Sequence, residues 1–346
     1  MTADPVAGQV ERPLLTIKDL KVHYPVRAGA FRRAAGHIRA VDGVDLTVRR
    51  GENVGVVGES GCGKTTLGLS VLRAHDRVRG EIHYLRADGT SVDLARLSRK
   101  ELKPCRREIR MIFQDPHSSL NPRLTLLDII GEPLKVNGVA TGQELVDRVG
   151  EMLRKVGLRP EHMRRYPHAF SGGERQRISI ARALVLQPRL VVADEAVSAL
   201  DVSVRAQILN LLQDLQDELG LTFLFISHDL SIVECVCDRV AVMYLGRVVE
   251  LADTAALYAQ PAHPYTEALL SAVPKPDPRL RRARQRIVLQ GDVPDPANPP
   301  SGCAFRTRCR FATQLCAERT PELREVAPKQ YSACHYAGEL ALRGIQ

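Results

Sequence analysis

The chain has 346 residues, 44% hydrophobic and 26% charged, with 4% aromatic residues and a formal net charge of +9. That length suggests roughly two domains of about 150 residues each, with enough apolar mass for a real core. No run reaches the ~20 apolar residues that span a bilayer, and the start lacks the basic-then-apolar pattern of a secretory signal, so a cytoplasmic chain is expected.

In chain order, residues 14–22 alternate like a strand, and Tyr24-Pro25 reads as a turn into a Gly/Arg/Ala-rich insertion ending at Gly36. Residues 38–48 read as strand again, closed by Arg50-Gly51. Asn53 to Val57 is a short apolar run that opens into a glycine loop and a helical pattern over 64–72. Residues 121–186 are helix-like, and 143–156 are amphipathic. A buried strand at 189–193, a strong helix at 202–219, a buried strand at 222–226 and a hairpin around Gly246 follow. This alternation predicts an α/β fold. Prolines recur from Pro274 to Pro300, which marks a linker or extended wrap before a small cysteine-bearing module. The absence of an internal repeat implies a single copy of this α/β unit.

Gly58, Glu59, Ser60, Gly61, Cys62, Gly63, Lys64 and Thr65 fit G-x-x-x-x-G-K-[ST] in full, with Thr66 continuing the helix. The glycines permit the positive φ values that turn backbone N–H groups toward phosphate oxygens. Lys64 is suited to reach the β- and γ-phosphates, and Thr65 to offer a hydroxyl to Mg²⁺. Strand, loop, helix is the order that a P-loop requires. Cys62 reads as a small filler within the loop. The apolar run Leu190 to Ala193 ends in Asp194 and Glu195. Asp194 is placed to hold Mg²⁺, and Glu195, one residue further, to orient or deprotonate an attacking water.

Between these lies Ser171-Gly172-Gly173-Glu174-Arg175-Gln176-Arg177. Ser171 caps a helix whose free N–H groups can face an anion, and two glycines clear the approach. This run resembles the signature of the ATP-binding cassette (ABC) family, whose fold is a P-loop NTPase with a RecA-like core and a helical subdomain. The resemblance implies that Ser171, Gly172 and Gly173 complete the site of an opposing subunit, two cassettes sandwiching two ATP molecules. It further implies that Gln114 senses Mg²⁺ and water, that Asp201 in Ser198-Ala199-Leu200-Asp201 belongs to the D-loop, that His228 contacts the γ-phosphate, and that Tyr24 stacks on adenine. Ala196-Val197 departs from the family's usual residues after the glutamate but lies beyond the catalytic pair.

The segment from Gln114 to Arg123 and the one from Tyr258 to Leu270 resemble the oligopeptide/dipeptide importer subfamily, which includes nickel and glutathione systems. The likeness runs over about residues 14–335 and is nearest the second ATPase of such systems. It implies an ABC nucleotide-binding domain over 11–270, a helical subdomain over about 115–186, and a C-terminal extension over 271–346. Implied partners are a second ABC ATPase, two permease subunits and an extracytoplasmic binding protein, with the chain on the cytoplasmic face of the inner membrane. A soluble ABC ATPase acting on nucleic acid or ribosomes is the rival, as is a regulatory subunit that binds ATP without turnover.

Cys303, Cys309, Cys316 and Cys334 offer four thiolates, enough for tetrahedral Zn²⁺ or a [4Fe–4S] cluster, although the spacings are wider than common zinc knuckles. Some members of the subfamily with this arrangement bind [4Fe–4S], which is the favoured expectation; reduced thiols packing a small lobe is another. Either metal would staple a module too small for its own core. Cys105, Cys235 and Cys237 read as ordinary small buried residues. The basic stretches at 27–39 and 275–286 read as solvated loops or a contact with an anionic membrane; nucleic acid is disfavoured because no aromatics interleave.

Overall fold

The computed structural model describes residues 12–28, 33–115, 119–273 and 286–345. Most of the second basic stretch, the middle of the first insertion and residues 116–118 of the segment after Gln114 lie outside them.

Twelve strands run through the described residues: β1 (Leu15–Ala28), β2 (Arg33–Val48), β3 (Asn53–Val57), β4 (Val78–Leu85), β5 (Ser91–Asp93), β6 (Ile109–Ile112), β7 (Leu190–Asp194), β8 (Thr222–Ser227), β9 (Arg239–Tyr244), β10 (Arg247–Asp253), β11 (Arg324–Ala327) and β12 (Gln330–Ser332). They form a four-stranded antiparallel sheet, β2-β1-β4-β5, and an eight-stranded sheet, β11-β12-β10-β9-β3-β8-β7-β6.

The middle of the larger sheet is parallel: β3 lies between β8 and β9, and β7 between β6 and β8. Parallel strands covered on both faces must be apolar nearly throughout, and every residue of β7 and β8 is buried. On one face the Lys64–Val71 helix packs with the four-stranded sheet in a core that includes Leu67, Val56, Val192 and Ile226. On the other the core gathers Ile208, Leu212 and Leu215 of the Val202–Leu219 helix. It continues into a helical layer made of Leu126–Val136, Gly142–Lys155 and Gly172–Leu184. Val149 follows Leu145 by four, and Met152 and Leu153 follow Val149 by three and four, so they share the buried face of the middle helix.

Two expectations are corrected. Tyr24-Pro25 is not a turn: β1 runs on to Ala28, with Tyr24 opposite Ile38 and Pro25 opposite His37. Its pairing with β4 ends at Val22, so Pro25 has only β2 beside it, and a proline's missing N–H is tolerated at such an edge. Cys235 is exposed, whereas Cys105 and Cys237 are buried. In the cysteine-bearing module beyond the proline-rich stretch, β12 pairs with β10 and extends the main sheet. Phe305, 2% exposed, enters the larger core against Tyr244 and Tyr265. The module therefore shares a core with the cassette.

Candidate active site

β3 delivers the chain at Val57 into the glycine loop, and the helix starts at Lys64 with Gly63 at its N-cap, φ 105°. A Cβ at Gly58 would lie 2.3 Å from the Met243 carbonyl oxygen of β9, and one at Gly63 1.9 Å from the Ala40 carbonyl oxygen of β2. Both positions thus need glycine for space as well as for positive φ.

Lys64 is buried, and its ammonium donates to the carbonyls of Gly58 (2.7 Å) and Glu59 (3.0 Å). Thr65, at the exposed rim, donates its hydroxyl to Oδ1 of Asp194 at 3.1 Å. Ser60 and Gly61 are exposed, and Thr66 is half-buried. Cys62 is buried, which pushes its thiol pKa up and agrees with a packing role.

Asp194 ends β7 and is 4% exposed. Burial, with the neighbouring Glu195 charge, holds its carboxyl above the ordinary range. Glu195 takes φ 46°, a left-handed conformation unusual for glutamate. It is pinned there because its N–H donates to Ile226 of β8 (2.8 Å) and its carbonyl accepts from the Ser198 hydroxyl (2.9 Å). Both carboxylate oxygens are engaged. Gln114 Nε2 donates to Oε2 at 2.7 Å, and His228 Nδ1 lies 3.0 Å from Oε1. Against an acceptor-only carboxylate, that nitrogen is the donor of the pair, on a ring that is half exposed. The structure therefore brings together Lys64, Thr65 and Asp194, and separately Gln114, Glu195 and His228, joined through the 194–195 peptide.

Ser171 caps the Gly172–Leu184 helix in a capping box with Glu174. The hydrogen bonds of Ser171 run to Glu174 and not to the glycine loop; Ser171 and Gly172 are exposed. A Cβ at Gly173 would stand 2.6 Å from the Val204 side chain. Asp201 caps the Val202–Leu219 helix, accepting from the Val204 N–H at 3.0 Å. Tyr24 is half-buried, with His75 edge-on at 6.0 Å and the Arg77 guanidinium 5.7 Å from its ring centre. The sequence reading missed Arg77, and it missed two partners of Glu59: the Tyr265 hydroxyl, which accepts from its N–H at 2.9 Å, and Arg308, which holds its carboxylate with two bonds. Separations of 206 and 249 residues leave no local signal for such contacts.

The four tail cysteines line one cavity of about 20 Å³ together with His263, Phe305, Phe311 and Tyr336. Burial pushes the thiols of Cys303 and Cys309 up, and that of Cys334 to about 11, with their mutual proximity adding to it. Among the described residues no group of three or more His, Cys, Asp or Glu side chains stands close enough to hold a metal ion. The donor set suits a soft metal by its chemistry.

A lysine-bearing loop after a buried parallel strand, an acidic pair on the next-but-one strand and a serine-capped signature helix define the nucleotide-binding subunit of an ATP-binding cassette machine. The family described as ABC transporter matches residues 41–198, and the one described as oligopeptide/dipeptide transporter, C-terminal region matches residues 249–316. The oligopeptide transport ATP-binding protein AppF of Bacillus subtilis is 50% identical over 326 residues, 94% of this chain and 98% of that one. A putative peptide import ATP-binding protein of Brucella ovis is 52% identical over 324 residues, again 94% and 98%. Among solved structures, cbiO1 from Clostridium perfringens, described as part of an ABC transporter complex, matches with TM-score 0.59 and 27% identity over 71% of this chain and 90% of that one. The ATP-binding cassette MJ0796, solved as a dimer bound to ADP and Pi, gives 0.59 and 28% over 69% and 98%. The chain belongs to the ABC transporter ATPases and carries the oligopeptide/dipeptide transporter C-terminal region. It is an ATP-hydrolysing subunit.

Proposed function

We propose that this chain energises the import of di- or oligopeptides through a partner membrane permease. The observation that carries this reading is Glu195, held by Gln114 and His228 beside Asp194, in a chain whose tail matches the oligopeptide/dipeptide transporter C-terminal region. The names of the relatives, which speak of oligopeptide transport and peptide import, support the substrate class.

The glycine loop, from Gly58 to Thr66, holds the triphosphate, and Lys64 turns its ammonium from the loop carbonyls toward the β- and γ-phosphates. Thr65, Asp194 and Gln114 hold Mg²⁺. The pairing of the Thr65 hydroxyl with a buried, charge-crowded Asp194 carboxylate fits a cation at that point. Mg²⁺ supplies charge neutralisation of the phosphates. Glu195, fixed at both oxygens, orients water for attack on the γ-phosphate, and His228 offers its remaining ring nitrogen beside it. The protein's contribution is positioning and electrostatics rather than covalent chemistry. Tyr24 receives the adenine ring.

The exposed Ser171 and Gly172, with Asp201 at the head of the neighbouring helix, face a second cassette, so that ATP is sandwiched between two chains. The dimeric form of MJ0796 supports that assembly. The full complex comprises a second ATPase, two permeases and an extracytoplasmic binding protein, with this chain at the cytoplasmic face of the inner membrane. No helix of the described residues is long and apolar enough to cross a membrane. The cassette occupies 11–270, its helical subdomain about 115–186, and the extension 271–346. In the extension, Cys303, Cys309, Cys316 and Cys334 take a [4Fe–4S] cluster, or Zn²⁺ in its place, as a staple. The soft-donor chemistry of four free thiols supports this, and no step of hydrolysis runs through it.

The test is reconstitution of the complex in vesicles with paired assays of phosphate release and uptake. Labelled di- and tripeptides should be taken up at the expense of ATP. Uptake of nickel or glutathione instead would replace the substrate class, and stimulation of hydrolysis by nucleic acid or ribosomes but not by the permease would replace the function. Anaerobic purification followed by a visible spectrum and metal analysis decides the staple: brown protein with about four iron atoms supports the cluster, and colourless protein with one zinc overturns it.

A further inference from the structure

Glu59, the second residue of the phosphate loop, is held from three sides. Its carbonyl accepts from Lys64, the ammonium assigned to the phosphates. Its N–H donates to the Tyr265 hydroxyl, and its carboxylate takes both Arg308 bonds, at 2.6 and 3.0 Å. Tyr265 and Arg308 both lie within residues 249–316, matched by the oligopeptide/dipeptide transporter C-terminal region, on opposite sides of the stretch 274–285.

Arg308 stands on a rigid platform. Its own N–H donates to the carbonyl of Phe305, whose ring is packed among Tyr244, Tyr265 and His263. Its side chain is 7% exposed and that of Glu59 28%, so the pair is largely shielded from water. A two-pronged guanidinium–carboxylate pair fixes direction as well as distance, and a buried guanidinium deprived of its carboxylate is costly. The tail is also fastened to the cassette elsewhere, by Phe305 and β12.

We propose that Arg308 is a positioning residue of the nucleotide site, an arm of the cysteine-bearing extension that sets the phosphate loop through Glu59, with Tyr265 as the second anchor. The extension thereby tunes the ATP affinity of its own cassette. The inference rests on the assignment of the glycine loop to the nucleotide phosphates.

The experiment titrates the full-length chain with a fluorescent ATP analogue and Mg²⁺ and records its nucleotide-free melting curve. Arg308→Met should weaken binding about tenfold, by misplacing the loop, while the nucleotide-free melting temperature stays close to that of the unaltered chain. Arg308→Lys should recover part of the loss, because a point charge cannot make both bonds. Glu59→Gln should weaken binding to a similar extent, and the Glu59→Gln, Arg308→Met double variant no more than either alone, because both changes break one contact. Affinity within twofold in folded Arg308→Met, or losses that add in the double variant, would overturn the proposal. Should Arg308→Met not fold, Glu59→Gln decides alone: retained affinity rejects the arm, and a tenfold loss supports it. Lys64→Ala separates the two levels. If it abolishes binding while the Glu59 and Arg308 variants do nothing, the arm fails and the loop assignment stands; if Lys64→Ala binds normally, the loop assignment itself fails.

Discussion

His228 and Glu195 are 33 positions apart in the chain, yet Nδ1 of one lies 3.0 Å from Oε1 of the other. With Gln114 on the second oxygen, the carboxylate is fixed in orientation by two donors from two different strand ends. An amide at position 195 can accept on only one side and must present its NH₂ to a donor on the other. Glu195→Gln should therefore lower ATP turnover in the assembled transporter by about 10²–10⁴-fold. Nucleotide affinity should stay within about threefold, because Lys64, Thr65 and Asp194 are untouched. Phosphate release against nucleotide binding separates the two; turnover that survives the substitution refutes the role of Glu195.

Ser171 carries a structural and a functional assignment that one substitution pulls apart. As N-cap, its loss in Ser171→Ala should cost about 1 kcal/mol in urea unfolding. As part of the opposing site, its loss should lower hydrolysis in the assembled complex by about tenfold or more through the missing phosphate contact. A variant that unfolds earlier but hydrolyses normally would confine Ser171 to capping.

The candidate site was legible where its parts are local, whereas Gln114 and His228 entered only through the family resemblance. A glycine loop must follow its strand immediately, an acidic pair must end one, and a capping serine must precede its helix by one residue. The fold was legible where patterns were long, as in the Val202–Leu219 helix, and illegible where partners decide. The turn expected at Tyr24-Pro25 is strand because β2 is there to pair with it. β4 buries Ile82 and Tyr84 in clean alternation, and Ser98 with Glu101 forms a capping box before the Arg99–Glu108 helix; both signals were present in the sequence and unread. The contacts of Glu59 with Tyr265 and Arg308 had no sequence signal at all, since only the folded tail creates them.

Phe305 tests whether the tail shares the cassette core. It is 2% exposed, with ring centroids 5.2 and 5.4 Å from Tyr244 and Tyr265. Phe305→Ala should cost about 3–5 kcal/mol, because the aromatic cage around it cannot collapse into the space. Urea denaturation monitored by tyrosine fluorescence is the measurement. A loss below about 1 kcal/mol would mean that the tail packs independently of the cassette.

Glu250 supplies a pH dependence with a definite sign. Its side chain on β10 is fully buried; Oε1 accepts from the Ala262 N–H (2.7 Å) and Gln330 Nε2 (3.0 Å), and Oε2 from the His263 N–H (2.9 Å). Those donors favour the charged carboxylate, but burial outweighs them and raises the group from 4.5 to about 7. Between those two values the folded chain keeps a proton that the unfolded chain has released. The contribution of this proton to stability is thus complete below about pH 4.5, declines as pH rises, and is gone above about pH 7; integrated, it amounts to about 3 kcal/mol at most. Urea unfolding of the unaltered chain and of Glu250→Gln across pH 5.5 to 8 isolates it, since glutamine does not titrate. The stability difference between the two should shift against the unaltered chain by about 1–2 kcal/mol over that range. A difference that stays flat places the carboxylate in its ordinary range, with the three donors and not burial in control.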